Sequence, residues 1–128
     1  MGTSPAINHT KLLGEKGEQA VVAWLKKQKY SILAQNYRTK WGEIDVIATK
    51  GDVVAFIEVK TRKTKYFPLS LVVTPSKQLK LIKTAKIFAS QHQIFNKVLR
   101  FDIATITINN STNNSYEIDY IPNAFQGE

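Results

Sequence analysis

The spacing of apolar residues divides the chain into two helices and five strands. Two segments repeat apolar residues at intervals of three and four, as helices packed on one face do. Five shorter segments are largely apolar or alternate between apolar and polar positions, which indicates strands. The predicted helices cover residues 11–29 and 75–92, and the predicted strands cover residues 30–38, 43–49, 53–61, 98–108 and 116–121. The order αβββαββ favours an α/β fold with a mixed central sheet flanked by helices.

Turn and capping residues set several of these boundaries. Gly51, between Lys50 and Asp52, marks a tight turn that would join the second and third strands into a hairpin. Thr74 followed by Pro75 is a favourable helix start, since threonine can cap and proline is tolerated at the first helical position. The third strand reads VVAFIEV and is apolar on both faces. We therefore expect it at the centre of the sheet, covered on both sides.

Length and composition narrow the class of protein. The 128 residues suit one domain, which we place at residues 11–125, with a flexible N-terminus over 1–10 and a tail over 126–128. Hydrophobic residues make up 43% of the chain, yet no apolar run is long enough to span a bilayer. There is no cysteine, which excludes disulfides and makes a zinc site very improbable. We expect a soluble, cytoplasmic protein.

The net charge of +8, from 18 Lys and Arg against 10 Asp and Glu, suggests a nucleic-acid partner. The alternative is that these lysines only keep the protein soluble. Basic residues that flank the second and third strands could bind phosphate groups. So could a lysine at the start of a helix, where backbone N–H groups attract anions. The candidates for phosphate binding are Arg38, Lys40, Arg62, Lys63 and Lys77.

Three charged residues stand where apolar ones are expected. Asp45 interrupts the second strand, while Glu58 and Lys60 lie two apart on the third and so share a face. A hairpin turn near residue 51 or 52 would bring position 45 opposite position 58. A structural salt bridge with Lys60 would leave one of the two acids next to a like charge. Alternatively, the two carboxylates hold Mg²⁺, which activates water for attack on a phosphate, while the lysine stabilises the developing charge.

Glu18 is a further acidic candidate. On the first predicted helix it shares a face with Val21, Val22 and Leu25, which directs it toward the sheet. Gly14 and Gly17 would allow close approach of backbone or substrate beside it. A third acid could complete a metal site.

The ordered set Glu18, Asp45 and Glu58-Val59-Lys60 resembles the PD-(D/E)xK nuclease superfamily, especially the archaeal Holliday-junction resolvases. Longer segments look closer to the YraN-like family of small bacterial proteins, and the likeness covers residues 11–125. These segments are 14–18 (GEKGE), 36–38 (NYR), 42–45 (GEID), 58–62 (EVKTR), 100–102 (RFD) and 123–125 (NAF). The resemblance implies a restriction-endonuclease-like core, Mg²⁺ or Mn²⁺ at Asp45 and Glu58, Lys60 as catalytic lysine and Glu18 as an accessory acid.

Three functions therefore stay open. The first is a metal-dependent endonuclease acting on DNA, more than RNA, and on branched or structured DNA in particular. The second is a nucleic-acid-binding module of the same fold without catalysis, and the third is a scaffold for another protein. Either a monomer or a homodimer is compatible with the sequence.

Arg100 and Asp102 lie on one face of the fourth strand, so we interpret them as a structural ion pair.

Overall fold

The computed structural model describes residues 9–62, 73–109 and 115–126. Its elements are α1 (His9–Lys27), β1 (Ser31–Thr39), β2 (Gly42–Lys50), β3 (Val53–Arg62), α2 (Pro75–Gln91), β4 (Val98–Asn109) and β5 (Ser115–Phe125). The predicted order αβββαββ is confirmed, and most bounds agree within two residues. The exception is β5, which continues to Phe125 because its far end pairs with Phe101 of β4. Of the segments predicted to be flexible, residues 1–8 and 127–128 lie outside the described residues.

The five strands form one mixed sheet in the order β1-β2-β3-β4-β5. Strands β3 and β4 are parallel, and the other neighbouring pairs are antiparallel. A parallel pair needs a crossover connection, and α2 lies within the segment that joins β3 to β4. Strand β3 is the central strand, as its apolar sequence predicts.

Each face of the sheet carries one helix and its own apolar core. On the α2 face, Phe88 packs edge-on against Phe56 and Tyr37, with ring centroids 6.1 and 5.0 Å apart. The core on the α1 face consists of aliphatic residues of the helix and of three strands, namely Val21, Val22, Leu25, Val46, Ala48, Ala55, Ile57, Ala104 and Ile106. Neither helix in the described ranges is long and apolar enough to cross a membrane.

Helix α2 begins as its sequence predicts. Thr74 is extended, and its hydroxyl accepts a hydrogen bond of 3.3 Å from the backbone N–H of Lys77, while Pro75 occupies the first turn.

Thr84 of α2 is fully buried on the side of the helix that faces the sheet. Its hydroxyl donates to the carbonyl of Lys80 at 2.8 Å, so this buried polar atom is satisfied within the helix.

A buried polar network joins β4 to β5. The Asp102 carboxylate accepts hydrogen bonds from the Arg100 guanidinium at 2.8 to 3.2 Å, from the Tyr120 hydroxyl and from the Asn123 N–H at 2.9 Å. Arg100 also donates to the hydroxyl of Tyr30 at 2.6 Å. Burial, followed by the hydrogen bond to Asp102, raises the pKa of Tyr120 above its usual value. The interpretation of Arg100 and Asp102 as a structural ion pair is therefore confirmed.

Helix α1 lies close against the sheet at Gly17. A β-carbon there would lie 2.5 Å from Thr61 Oγ1 and 2.9 Å from Ile106 Cδ1, both closer than such contacts allow. At Gly14, one turn earlier, a β-carbon would meet nothing within 4 Å. The predicted close approach therefore occurs at Gly17, between helix and sheet, and it sets the height of the neighbouring Glu18 above the strands.

We predict opposite effects for alanine at these two glycines. Gly17→Ala must displace either α1 or the side chains of Thr61 and Ile106, and we expect it to lower the free energy of unfolding by about 1–3 kcal/mol. Gly14→Ala adds a good helix former in open space, and we expect a gain of about 0.5–1 kcal/mol. Chemical denaturation of both variants measures the difference. Equal stabilities for the two variants would contradict the packing of α1.

Candidate functional site

The hairpin of β2 and β3 brings Asp45 to Glu58. Its ladder runs without interruption from Lys50 paired with Val53 to Val46 paired with Ile57, so the next position along it sets Asp45 opposite Glu58. The first residue of the two-residue turn is Gly51, whose φ of +59° favours glycine. The spacing argument for the two acids thus agrees with the observed register.

The ladder between β2 and β3 ends at Asp45, because its side chain replaces the backbone as hydrogen-bonding partner. The backbone N–H of Val59 donates to Asp45 Oδ2 at 2.7 Å. Beyond this point β2 stays paired with β1, from Ile44 opposite Tyr37 to Gly42 opposite Thr39. The carboxyl group is therefore held at a branch point of the sheet by a main-chain donor.

The surroundings of Asp45 favour its neutral form. Its pKa is raised to about 8, first by burial, then by the charge of Glu58 and by a hydrogen bond with the Glu58 side chain. The Val59 N–H acts in the opposite direction, since it stabilises the carboxylate. Two acidic groups packed this closely in a largely buried position store unfavourable electrostatic energy, which a bound cation would relieve.

A lysine from α2 lies next to Glu58. The ammonium of Lys77 is 3.1 Å from Glu58 Oε2, and the two side chains are 46% and 12% exposed. The contact is an ion pair by distance, but it lacks the alignment of a hydrogen bond, so the buried Oε2 has no hydrogen-bond donor. The sequence predicts that Lys77 binds phosphate at the start of α2. No sequence pattern predicts its pairing with Glu58.

Lys60 is the third charged residue of the predicted set. It shares a strand face with Glu58, but its side chain is exposed. Across the described ranges, the ammonium that pairs with Glu58 is that of Lys77. Lys77 belongs to the first turn of α2, so its pairing with Glu58 depends on how that helix packs on the sheet. Convergence of the two carboxyl groups is observed, and the role of Lys60 stays a prediction.

Glu18 stands on α1 as a third acid near the pair. Its side chain is half-buried and hydrogen-bonds that of Asn36. Burial raises its pKa, the bond to Asn36 lowers it, and the charges of Glu43, Glu15 and Glu58 raise it further. No sequence pattern indicates that Asn36 and Glu43 lie near Glu18. Asn36 has a positive φ of +51°, which asparagine tolerates better than most residues, and no periodicity reveals such a bend.

The donor set suits a hard cation held by few protein ligands. In the part of the chain that the structure describes, no three His, Cys, Asp or Glu side chains form a group able to hold a metal. Asp45 and Glu58 form a pair of carboxyl groups, one with a buried oxygen that lacks a donor. Mg²⁺ commonly binds through one or two carboxylates and completes its shell with waters and substrate phosphates. Glu18 contributes through charge, at longer range.

A cleft of about 370 Å³ opens beside the ion pair of Lys77 and Glu58. It lies between the start of β2 and the first turns of α2, where the helix dipole attracts anions. Its walls include two hydroxyl groups, two lysines and one carboxylate. The lining residues are Gly42, Glu43, Thr74, Ser76, Lys77, Lys80 and Leu81. A phosphate group fits both the charge and the donors of this cleft.

The other candidate phosphate ligands have partners in the protein or fall outside the described residues. Arg38 Nε is 2.5 Å from Glu43 Oε2. Arg62 is only 9% exposed, lies 3.3 Å from Asp119 Oδ2 and also donates to Thr107. Lys40 lies with its ammonium 5.1 Å from the ring centre of Trp41. Lys63 lies outside the described residues. Contact of these four with nucleic acid stays a prediction.

Fold and site together define a small α/β domain with two partly buried acids at the branch point of a mixed sheet. The model of the uncharacterised protein family UPF0102 matches residues 17–106. A UPF0102 protein of Geobacter metallireducens is 38% identical over 92% of this chain and 95% of its own length. One of Alkaliphilus metalliredigens is 39% identical over 91% and 99%. A third, of Caldicellulosiruptor saccharolyticus, is 40% identical over 88% and 96%. The chain belongs to the UPF0102 family.

We predict that Asp45 makes stability depend on pH in the metal-free protein. An acid whose pKa rises on folding contributes fully below its unfolded pKa of 3.8, and its contribution is lost as pH rises toward about 8. Asp45→Asn cannot ionise, so its stability relative to wild type should rise over this window, by roughly 1–3 kcal/mol. Thermal unfolding in EDTA from acid to alkaline pH measures the difference.

The matched control for this experiment is Asp52→Asn. Asp52 is exposed in the turn of the same hairpin, so Asp52→Asn removes a carboxyl group without touching the acidic pair. Parallel stability profiles for wild type and Asp45→Asn would contradict the electrostatic description of the acidic pair.

Proposed function

We propose that this protein is a metal-dependent nuclease that hydrolyses phosphodiester bonds of DNA. The observation that carries the proposal is the contact of two partly buried acids, Asp45 and Glu58, at a branch point of the sheet beside a lysine-lined cleft. Two acidic groups held this close raise the pKa of Asp45, and a bound cation would relieve their repulsion. Assignment to the PD-(D/E)xK superfamily belongs to this proposal and rests on the resemblance of the motifs.

Each residue of the site has a distinct role in this proposal. Asp45 and Glu58 would bind Mg²⁺ or Mn²⁺, and Asp45 would release its proton in doing so. The bound ion would acidify a water molecule and neutralise charge on the phosphate. Lys60 would extend toward the reacting phosphate from the exposed end of β3 and stabilise developing negative charge. Glu18 would assist as a more distant acid through its charge.

The rest of the proposal concerns partners and location. The excess of positive charge favours a polyanion, and we place DNA ahead of RNA, with branched or structured DNA as the preferred form. Arg38, Lys40, Arg62, Lys63 and Lys77 are the proposed phosphate ligands. The oligomeric state is a monomer or a homodimer, and the proposed location is the cytoplasm.

The metal site predicts competition between the ion and Lys77. Mn²⁺ should raise the melting temperature of wild type, because a ligand that binds only the folded state stabilises it. Asp45→Asn and Glu58→Gln should each remove this shift. Lys77→Met should bind Mn²⁺ several-fold more tightly than wild type, because the ammonium no longer occupies Glu58 Oε2. Calorimetric titration with Mn²⁺ measures the affinities.

Lys80→Met is the control for the lysine variant. It removes the same charge from the same cleft, but among the described residues the ammonium paired with Glu58 is that of Lys77, so Lys80→Met should change the affinity less than Lys77→Met. An equal Mn²⁺-induced shift in wild type, Asp45→Asn and Glu58→Gln would rule out this metal site.

Cleavage itself is tested with a panel of labelled substrates. Single-stranded, duplex, flap and four-way-junction DNA are incubated with Mg²⁺ or Mn²⁺, and products are resolved on denaturing gels. We expect cleavage that Asp45→Ala, Glu58→Ala and Lys60→Ala each reduce by about a hundredfold or more. Asp52→Ala, in the exposed turn, should cleave as wild type does. Activity that survives the three substitutions would have to come from another site or a contaminant.

A second candidate is a nucleic-acid-binding module of the same fold without catalysis. It is favoured by the ion pair between Lys77 and Glu58, since an ammonium already compensates one of the acids. This candidate predicts steeply salt-dependent DNA binding, no cleavage with either metal, and unchanged affinity in the Asp45 and Glu58 variants. The substrate panel and the Mn²⁺ titration together separate it from the nuclease.

A further inference from the structure

Trp41 is an exposed indole that two lysines flank. It lies in the turn between β1 and β2, and 40% of its surface is accessible. The ammonium of Lys83, from α2, is 3.6 Å from the centre of its ring, and that of Lys40 is 5.1 Å away. The Lys83 ammonium covers part of the ring. A base that displaced it would find an aromatic surface for stacking and a positive charge for its phosphate.

A cleft of about 370 Å³ adjoins the indole. Its walls are largely apolar and include two lysines but no carboxylate, namely Trp41, Lys83, Lys86, Ile87, Ser90 and Gln91. The absence of an acid among these lining residues distinguishes the cleft from the acidic pair, and it suits an anionic ligand with a flat apolar part. A nucleotide has this combination of properties.

Lysines of α2 connect this cleft with the acidic site. They recur every third residue and are Lys77, Lys80, Lys83 and Lys86. Lys77 contacts Glu58, and Lys83 contacts Trp41. At a rise of about 1.5 Å and a rotation of about 100° per residue, these two positions are about 9 Å apart along the helix axis and about 120° apart around it. The axial length corresponds to about two to three nucleotides, given a spacing of roughly 3.4 Å for stacked bases.

We propose that Trp41 is a stacking platform for an unpaired base of the strand that enters the acidic site. The base displaces the Lys83 ammonium from the indole and lies in the adjoining cleft. The backbone of the strand follows the α2 lysines, so the displaced Lys83 binds its phosphate. Bases within a duplex are already stacked and do not present a free face, so the platform selects nucleic acid with an unpaired nucleotide near the site. This inference deepens the proposed function and rests on it for the identity of the partner.

Binding in EDTA tests the platform without cleavage. Fluorescence anisotropy compares a short single-stranded oligothymidine with a duplex of the same length. Trp41→Ala should weaken single-strand binding by about tenfold and duplex binding far less, and Trp41→Phe should retain most of the affinity. Phe95→Ala removes a 76% exposed aromatic ring that does not line this cleft, and it should bind both probes as wild type does.

A base-free strand then identifies the contact. One probe consists of abasic nucleotides, and a second carries a single thymine among them. Wild type should prefer the second probe, and Trp41→Ala should bind the two equally. Equal binding by wild type, equal losses on single strand and duplex, or no binding to any probe would overturn the platform. So would a Trp41→Ala effect that Phe95→Ala reproduces.

The two proposals can fail separately. Trp41-dependent binding without cleavage of any substrate would remove the nuclease and retain the platform. Cleavage that depends on Asp45 and Glu58 but not on Trp41 would retain the nuclease and remove the platform. Thermal unfolding of Trp41→Ala completes the test. If the contact between Lys83 and Trp41 only fixes the β1–β2 turn to α2, the substitution should lower the stability and leave the preference for the thymine probe intact.

Discussion

The hydrogen bond from the Val59 N–H to the Asp45 carboxyl group is the interaction on which the candidate site depends. A backbone donor in the middle of a sheet must find an acceptor, and here a side chain supplies it where the ladder ends. Because the bond fixes Asp45 against β3, it also holds the acid next to Glu58. The apolar sheet around the pair makes its charge expensive, and this cost is what suits the site to a cation.

Helix α2 connects this acidic pair to the indole of Trp41 and the lysines beside it. Its capped first turn places Lys77 at Glu58, and the same helix carries Lys83 to the indole of Trp41. One rigid element therefore links the site that would hold a metal to the surface that would hold a strand. On the other face of the sheet, the close contact of Gly17 sets the position of α1, and with it the position of Glu18.

Much of the fold followed from local patterns, and the reasons are specific. The run VVAFIEV could only be a strand covered on both faces, and Thr74 before Pro75 marked a helix start that the structure reproduces. The end of β5 did not follow, because pairing with β4 extends it beyond its alternating segment. For the site, hairpin arithmetic brought Asp45 to Glu58, since that distance depends on the turn alone.

The sequence by itself therefore determined the element order, the central strand and the meeting of two acids across one turn. Only the tertiary structure decided which cation accompanies them. The ammonium at Glu58 comes from Lys77, 19 positions later in the chain, rather than from Lys60, two positions away. It also decided that Asn36 meets Glu18 and that Lys83 covers Trp41. These contacts join elements whose relative positions depend on how the helices pack on the sheet, which no local pattern encodes.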